Sequence, residues 1–164
     1  AFNARQSDQE PEVRLLRLDW DQRHSFNANV TVGNLSDWGV SLNARFGSGL
    51  PYTPSDEQGN LGISTPNSGT KPFTQMYDMK VYKNLVLGNL KFNVYAKMDN
   101  MFDIKNHYTV FGDTGSADYT LFQLRAEANN AVEAINTLDD FFMHPDWYGS
   151  PRRFTVGFSV GANQ

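Results

Sequence analysis

Apolar and polar residues alternate with period 2 over five stretches of the chain, the pattern of β-strands with one apolar and one polar face. Phe26, Ala28, Val30 and Val32 alternate with Ser25, Asn27, Asn29, Thr31 and Gly33. The phase repeats with Trp38, Val40, Leu42, Ala44 and Phe46 against Gly39, Ser41, Asn43, Arg45 and Gly47. A third stretch runs from Tyr77 to Leu87, with Tyr77, Met79, Val81, Leu85 and Leu87 opposite Asp78, Lys80, Tyr82 and Asn84. Lys83 interrupts its apolar set, which predicts a bulge or a position at a rim. The fourth sets Leu90, Phe92, Val94, Ala96 and Met98 against Lys91, Asn93, Tyr95, Lys97 and Asp99; the fifth sets Phe154, Val156, Phe158 and Val160 against Arg153, Thr155, Gly157, Ser159 and Gly161.

The connections alternate in length. Asn34-Leu35-Ser36-Asp37 and Gly88-Asn89 are of hairpin length, whereas Leu50 to Phe73 and Asp103 to Pro151 are long. Short turns at one end and long loops at the other are the layout of an outer-membrane barrel, with its short turns on the periplasmic side. Within the last loop, Leu121, Leu124, Ala128, Val132, Ile135 and Leu138 recur at 3- and 4-residue spacing and predict one helix.

Composition narrows the class. The 164 residues are 40% hydrophobic and 20% charged, with 13 Gly, 7 Pro and no Cys, which excludes a coiled coil, a collagen and a disulfide-stapled mini-protein. Twelve Phe, seven Tyr and three Trp supply apolar surface that a disordered chain lacks. The formal net charge of −4 and a pI near 5.2 take nucleic acid off the list of partners. The start, Ala1-Phe2-Asn3-Ala4-Arg5, has neither an initiator Met nor a signal peptide and predicts a piece of a longer chain. Mean hydropathy is −0.52, yet a membrane strand needs about ten residues, every second one apolar, and barely registers in such an average.

Alternation alone fits two architectures. One is a soluble antiparallel β-sandwich or small barrel that binds a ligand through its long loops; the other is a transmembrane barrel. The side-chain chemistry favours the second. Arg45, Asp78, Lys80, Asn93, Lys97, Asp99 and Arg153 share the polar faces with Gly, Ser, Asn and Thr, which suits a hydrated lumen. Val30, Leu42, Phe92, Val94, Val156 and Phe158 lie on faces free of charge apart from Lys83, which suits lipid. Trp20, Trp38, Phe46, Tyr52, Phe102, Tyr108 and Phe154 fall near strand ends, where interfacial girdles form.

Four blocks in order, Leu18-Asp-Trp-Asp-Gln-Arg-His-Ser-Phe26, Ser48-Gly-Leu-Pro-Tyr-Thr-Pro54, Asp99-Asn-Met-Phe-Asp103 and Ser150-Pro-Arg-Arg-Phe-Thr-Val-Gly-Phe158, resemble the C-terminal end of TonB-dependent receptor barrels. The similarity spans about Leu18 to Val160 and points to the carboxypeptidase-regulatory-like, SusC-like or siderophore-receptor type. The resemblance implies an all-β fold of antiparallel up-and-down strands. Residues 1–164 would then form about the last five strands of an outer-membrane β-barrel, with a long outer loop that holds one helix. It further implies import of a nutrient of the siderophore, glycan, peptide or cobalamin class. The implied partners are the remainder of the barrel, a plug, outer-membrane lipid, and the TonB complex through an N-terminal part. Neither a plug nor a TonB box is recognisable in these residues, and they close on Val160-Gly-Ala-Asn-Gln164 where the family ends on an aromatic residue. The expected location is the bacterial outer membrane.

Candidate chemistry is sparse. His24, His107 and His144 lack metal-ligand spacing, and Asp113-Thr-Gly-Ser-Ala-Asp118 lacks the pattern of a calcium loop and reads as a solvated turn. Gly47-Ser-Gly49 is not a nucleophile elbow; it allows a strand end to bend. Glu133, Asp139 and Asp140 read as solvated charges at a helix end, and Arg152-Arg153 as lumenal or rim charges. No catalytic residue, cofactor or metal site is expected, and an enzyme finds no supporting residue set.

Overall fold

The computed structural model describes residues 16–34, 36–56, 58–61, 65–128 and 138–162. Five long strands form one antiparallel sheet: β1 (Ser25–Asn34), β2 (Trp38–Gly47), β5 (Thr74–Leu87), β6 (Leu90–Asp99) and β7 (Arg153–Ala162). They lie side by side in chain order, with β1 and β7 at the two edges of the sheet. Two-residue strands β3 (Pro51–Tyr52) and β4 (Gly69–Thr70) pair with each other inside the first long connection. The second long connection carries α1 (Leu121–Ala128), α2 (Leu138–Phe142) and a 3-10 turn at Pro145–Trp147. Among the described residues no helix is long and apolar enough to cross a membrane.

Register follows from the alternation, because a slip of one residue would turn a whole apolar set over to the other face. Phe26 opposes Phe46, Val30 opposes Leu42, and Leu42 opposes Met79. Met79 opposes Met98, and Met98 opposes Phe154. The next row across the sheet is Val32, Val40, Val81, Ala96 and Val156. All five apolar sets thus fall on one face.

On the opposite face, tyrosines cover glycines on neighbouring strands. A methyl group at Gly39 would lie 2.6 Å from the Tyr82 ring, and one at Gly157 would lie 2.5 Å from the Tyr95 hydroxyl, so a side chain at either position would displace the tyrosine that lies over it. Tyr82 and Tyr95 are themselves direct cross-strand partners. The Leu87-Gly88-Asn89-Leu90 turn is tight, and Gly88 takes its φ of 59° without the steric penalty a Cβ would bring.

Lys83 corrects one expectation. It pairs one-to-one with Trp38 on β2 and with Val94 on β6, so β5 carries no bulge there. The rim alternative fits its place opposite Trp38, the first residue of β2. Its Nζ lies 2.7 Å from the Asp37 carboxylate in the adjacent turn. Of the helix expected from Leu121 to Leu138, α1 takes the first part and α2 starts at the last residue. Val132, Glu133 and Ile135 lie outside the described residues.

The up-and-down order places both short turns at one end of the sheet and both long connections at the other. There the two long connections dock on one another. The Ser55 N–H donates to the Gly112 carbonyl, and the Lys71 ammonium donates to the Tyr108 carbonyl at 2.7 Å. The Tyr52 ring lies against both Gly69 and Gly115. Tyr52 is thereby a packing residue between the loops.

Burial is shallow. Ala117 is the buried hydrophobic residue among those described, and it sits in the loop layer. The sheet buries no large side chain on either face: Val156 is 77% and Phe158 74% exposed.

Candidate functional site

Two surfaces and one loop cavity carry the chemistry. The polar face of the sheet gathers all seven residues expected there. Arg45 reaches Asp78 at 2.9 Å, while Lys97 at 2.7 Å and Arg153 at 3.0 Å share the Asp99 carboxylate. The Asn93 amide donates to the Asn84 side chain at 2.7 Å. Lys80 stands directly opposite Lys97, with its ammonium 5.5 Å from the centre of the Tyr95 ring. Arg45, Lys80, Lys91, Lys97 and Arg153 therefore outnumber Asp78 and Asp99 on this face, although the chain as a whole is acidic.

The other face gathers Val30, Leu42, Phe92, Val94, Val156 and Phe158, all in register with further apolar residues. Aromatic pairs mark its long-loop end. Phe46 meets Phe73 at 5.7 Å between ring centres, and Tyr77 meets Phe102 edge-on at 5.2 Å. Arg152 holds its guanidinium 5.9 Å from the Phe154 ring, so Arg152 and Arg153 separate to different faces and do not form one anion site.

Asparagine side chains fix the loop layer. Asn106 is 3% exposed; its Oδ1 accepts from the Gln75 N–H at 2.8 Å and its Nδ2 donates to the Gln75 carbonyl at 2.7 Å. Asn106 thus stands in for a missing strand at the start of β5. Asn100 is 2% exposed and takes a left-handed φ of 49°. Its amide donates to the carbonyls of Ile104 and Ser150, and its Oδ1 accepts from the Ile104 N–H, tying the two ends of the last loop together.

Within that loop a cavity of about 550 Å³ is lined by Ile104, Phe142, Met143 and Pro151 on its apolar side and by Lys105, Asp118 and Tyr148 on its polar side. The Tyr148 hydroxyl donates to Asp118 at 2.7 Å. Burial, reinforced by that carboxylate, pushes the phenol up to about 12. His107 Nδ1 accepts from the Ala117 N–H, which leaves Nε2 facing Asp118 at 3.5 Å. Sequence spacing carries no signal for this grouping, because its members come from separate parts of the loop.

The remaining candidates disperse. His24 lies ahead of β1, His107 faces Asp118, and His144 stacks on Trp147 at 4.2 Å. Among the described residues no three metal-ligating side chains converge. Asp113 accepts from the Thr120 hydroxyl and the Leu121 N–H, both at 2.7 Å, and so helps cap α1. Ser48 pairs with the backbone of His24, and Gly49 makes room for the Lys71 carbonyl. Comparison with family models, curated proteins and solved structures finds no match for this chain.

Proposed function

We propose that the chain is the C-terminal barrel portion of a TonB-dependent outer-membrane transporter that imports a nutrient. The observation that carries this reading is the pair of uncovered faces. Five strands in register present one contiguous apolar face, whose one charge is the ion-paired Lys83, and one charged face, and among the described residues neither is packed under another layer. In water an apolar face of that extent would need a second sheet or a helix over it. Lipid on one side and a hydrated lumen on the other satisfy both faces at once.

The ends of the sheet support the same reading. Both turns at one end are short, and both connections at the other are long and docked together, as an outer surface that meets a nutrient requires. The edge strands β1 and β7 are then the places where the rest of the barrel pairs.

The test is topological. In intact cells that make the complete receptor, single cysteines at Ser36 and Asn89 should be shielded from a membrane-impermeant thiol reagent, and those at Gln58 and Asp146 should react. Labelling of Ser36 and Gln58 from the same side overturns the barrel. A cooperative, monomeric, detergent-free unfolding transition of the 164 residues alone would replace it with the soluble sandwich.

A further inference from the structure

One row of the polar face is made of hydrogen-bond donors across all five strands. In register it reads Thr31, Ser41, Lys80, Lys97 and Thr155, three hydroxyls flanking two ammonium groups, with no carboxylate in the row. The Thr31 and Ser41 hydroxyls lie 3.0 Å apart. Lys80 and Lys97 are direct partners across β5 and β6, an arrangement that costs stability because like charges at that spacing repel. A nearby carboxylate offsets it in part, on the Lys97 side alone. Asp78 is engaged by Arg45, and Asp99 is shared between Lys97 and Arg153, which leaves Lys80 with the Tyr95 ring. The adjoining row adds the Tyr82 and Tyr95 side chains above a floor of Gly39 and Gly157.

We infer that this row is a binding step for an oxyanionic solute, one that carries phosphate or carboxylate groups, on its way along the barrel wall. The inference rests on the barrel reading, because it requires the polar face to be lumenal. An oxyanion beside Lys80 gains a charge-assisted hydrogen bond from its ammonium and a second from Lys97 when that side chain turns from Asp99, which Arg153 still holds, and the neighbouring hydroxyls can donate to its remaining oxygens.

The experiment uses the complete receptor in lipid vesicles and inorganic pyrophosphate as the probe, with binding followed by calorimetry at low salt. Lys80→Gln and Lys97→Gln should each weaken binding several-fold and the double variant at least tenfold, whereas Lys80→Arg retains it. Lys91→Gln, whose partners are Val86 and Gly161, should change binding less than twofold. Absence of pyrophosphate binding, or an equal loss with Lys91→Gln, overturns the inference. Cysteine accessibility separates that failure from failure of the barrel. With cysteines at Lys97 and Val94, reaction of Lys97→Cys alone with a water-soluble reagent upholds the hydrated face whatever pyrophosphate does, and reaction of Val94→Cys alone overturns the barrel itself. Shielding of Lys97→Cys within a hydrated lumen would assign the row to a protein surface packed on it and overturn the solute.

Discussion

The Lys83 ammonium lies 2.7 Å from the Asp37 carboxylate, so the one charge on the apolar face of the sheet is matched from the neighbouring short turn. Both side chains are about half exposed, and the pair sits beside Trp38 at the end of β2. A lysine with an aromatic neighbour suits the boundary between headgroups and acyl chains, where a long stem lies in apolar surroundings and its charge reaches water.

Removing one partner should therefore cost little. Asp37→Asn is expected to lower stability by up to about 1 kcal/mol, the range of exposed ion pairs. Lys83→Met should restore that loss in the double variant, since it also removes the lone charge from the apolar face. If the proposed barrel holds, urea unfolding of the complete receptor from lipid vesicles measures the cycle. A loss several times larger for Asp37→Asn would place the pair well inside the bilayer and away from its rim.

The loop cavity should show its own alkaline transition. Tyr148 is held protonated by burial and by its hydrogen bond to Asp118, with its phenol pushed up to about 12 from an ordinary 10. A raised folded value means that the contribution to stability is complete below pH 10 and is lost as pH rises from 10 toward 12. Difference absorbance of the phenolate band, with Tyr148→Phe subtracted, should give a late-titrating tyrosine that Asp118→Asn shifts to lower pH. An unshifted band in Asp118→Asn would remove the carboxylate from the explanation.

Much of the sheet was legible because one force sets it. Alternation gave the β2 start at Trp38, the β6 start at Leu90, and which residues of each alternating stretch share a face. It failed where packing is not periodic. β5 begins three residues before Tyr77, and Gln75 there occupies an apolar-face position opposite Phe46, so the pattern breaks although the strand continues. The Asn106 side chain holds that end, and nothing in the spelling of an asparagine announces such a long-range bond. Lys83 misleads for a related reason: a charge in an apolar set can mark a bulge or a rim, and only its partner Asp37 decides. The short β3–β4 pair and the Asp118–Tyr148 contact rest on loop geometry that carries no period.

Asn106 should be the hinge pin of the loop layer. Asn106→Ala leaves the part-buried Gln75 backbone without its two side-chain partners, at about 0.5–1.5 kcal/mol for each lost hydrogen bond. Asn106→Asp keeps the acceptor but, while ionised, loses the donor to the Gln75 carbonyl, so its loss near neutral pH should shrink at low pH, where the protonated carboxyl regains an O–H to donate. Limited proteolysis should reveal cleavage in residues 100–152 of the alanine variant while the strands stay protected. Unchanged protection would mean that the loop layer is held by its other bonds.

The two faces of β7 should respond oppositely to charge. Val156 lies in the row Val32, Val40, Val81, Ala96 and Val156, which contains no charged neighbour, whereas Ser159 faces the polar side beside Asn93. In the complete barrel, Val156→Arg would place a guanidinium among acyl chains at a cost of about 2–4 kcal/mol near the midplane, and Ser159→Arg would enter water at little cost. Val94→Arg is the poorer probe, because Val94 stands opposite Lys83 and a second cation there adds repulsion to the lipid term. Folding stability in vesicles of increasing chain length reads the difference, since the Val156→Arg penalty should grow as the bilayer thickens around a fixed strand. Equal destabilisation by Val156→Arg and Ser159→Arg would mean that both faces meet the same medium, and the lipid assignment would fall.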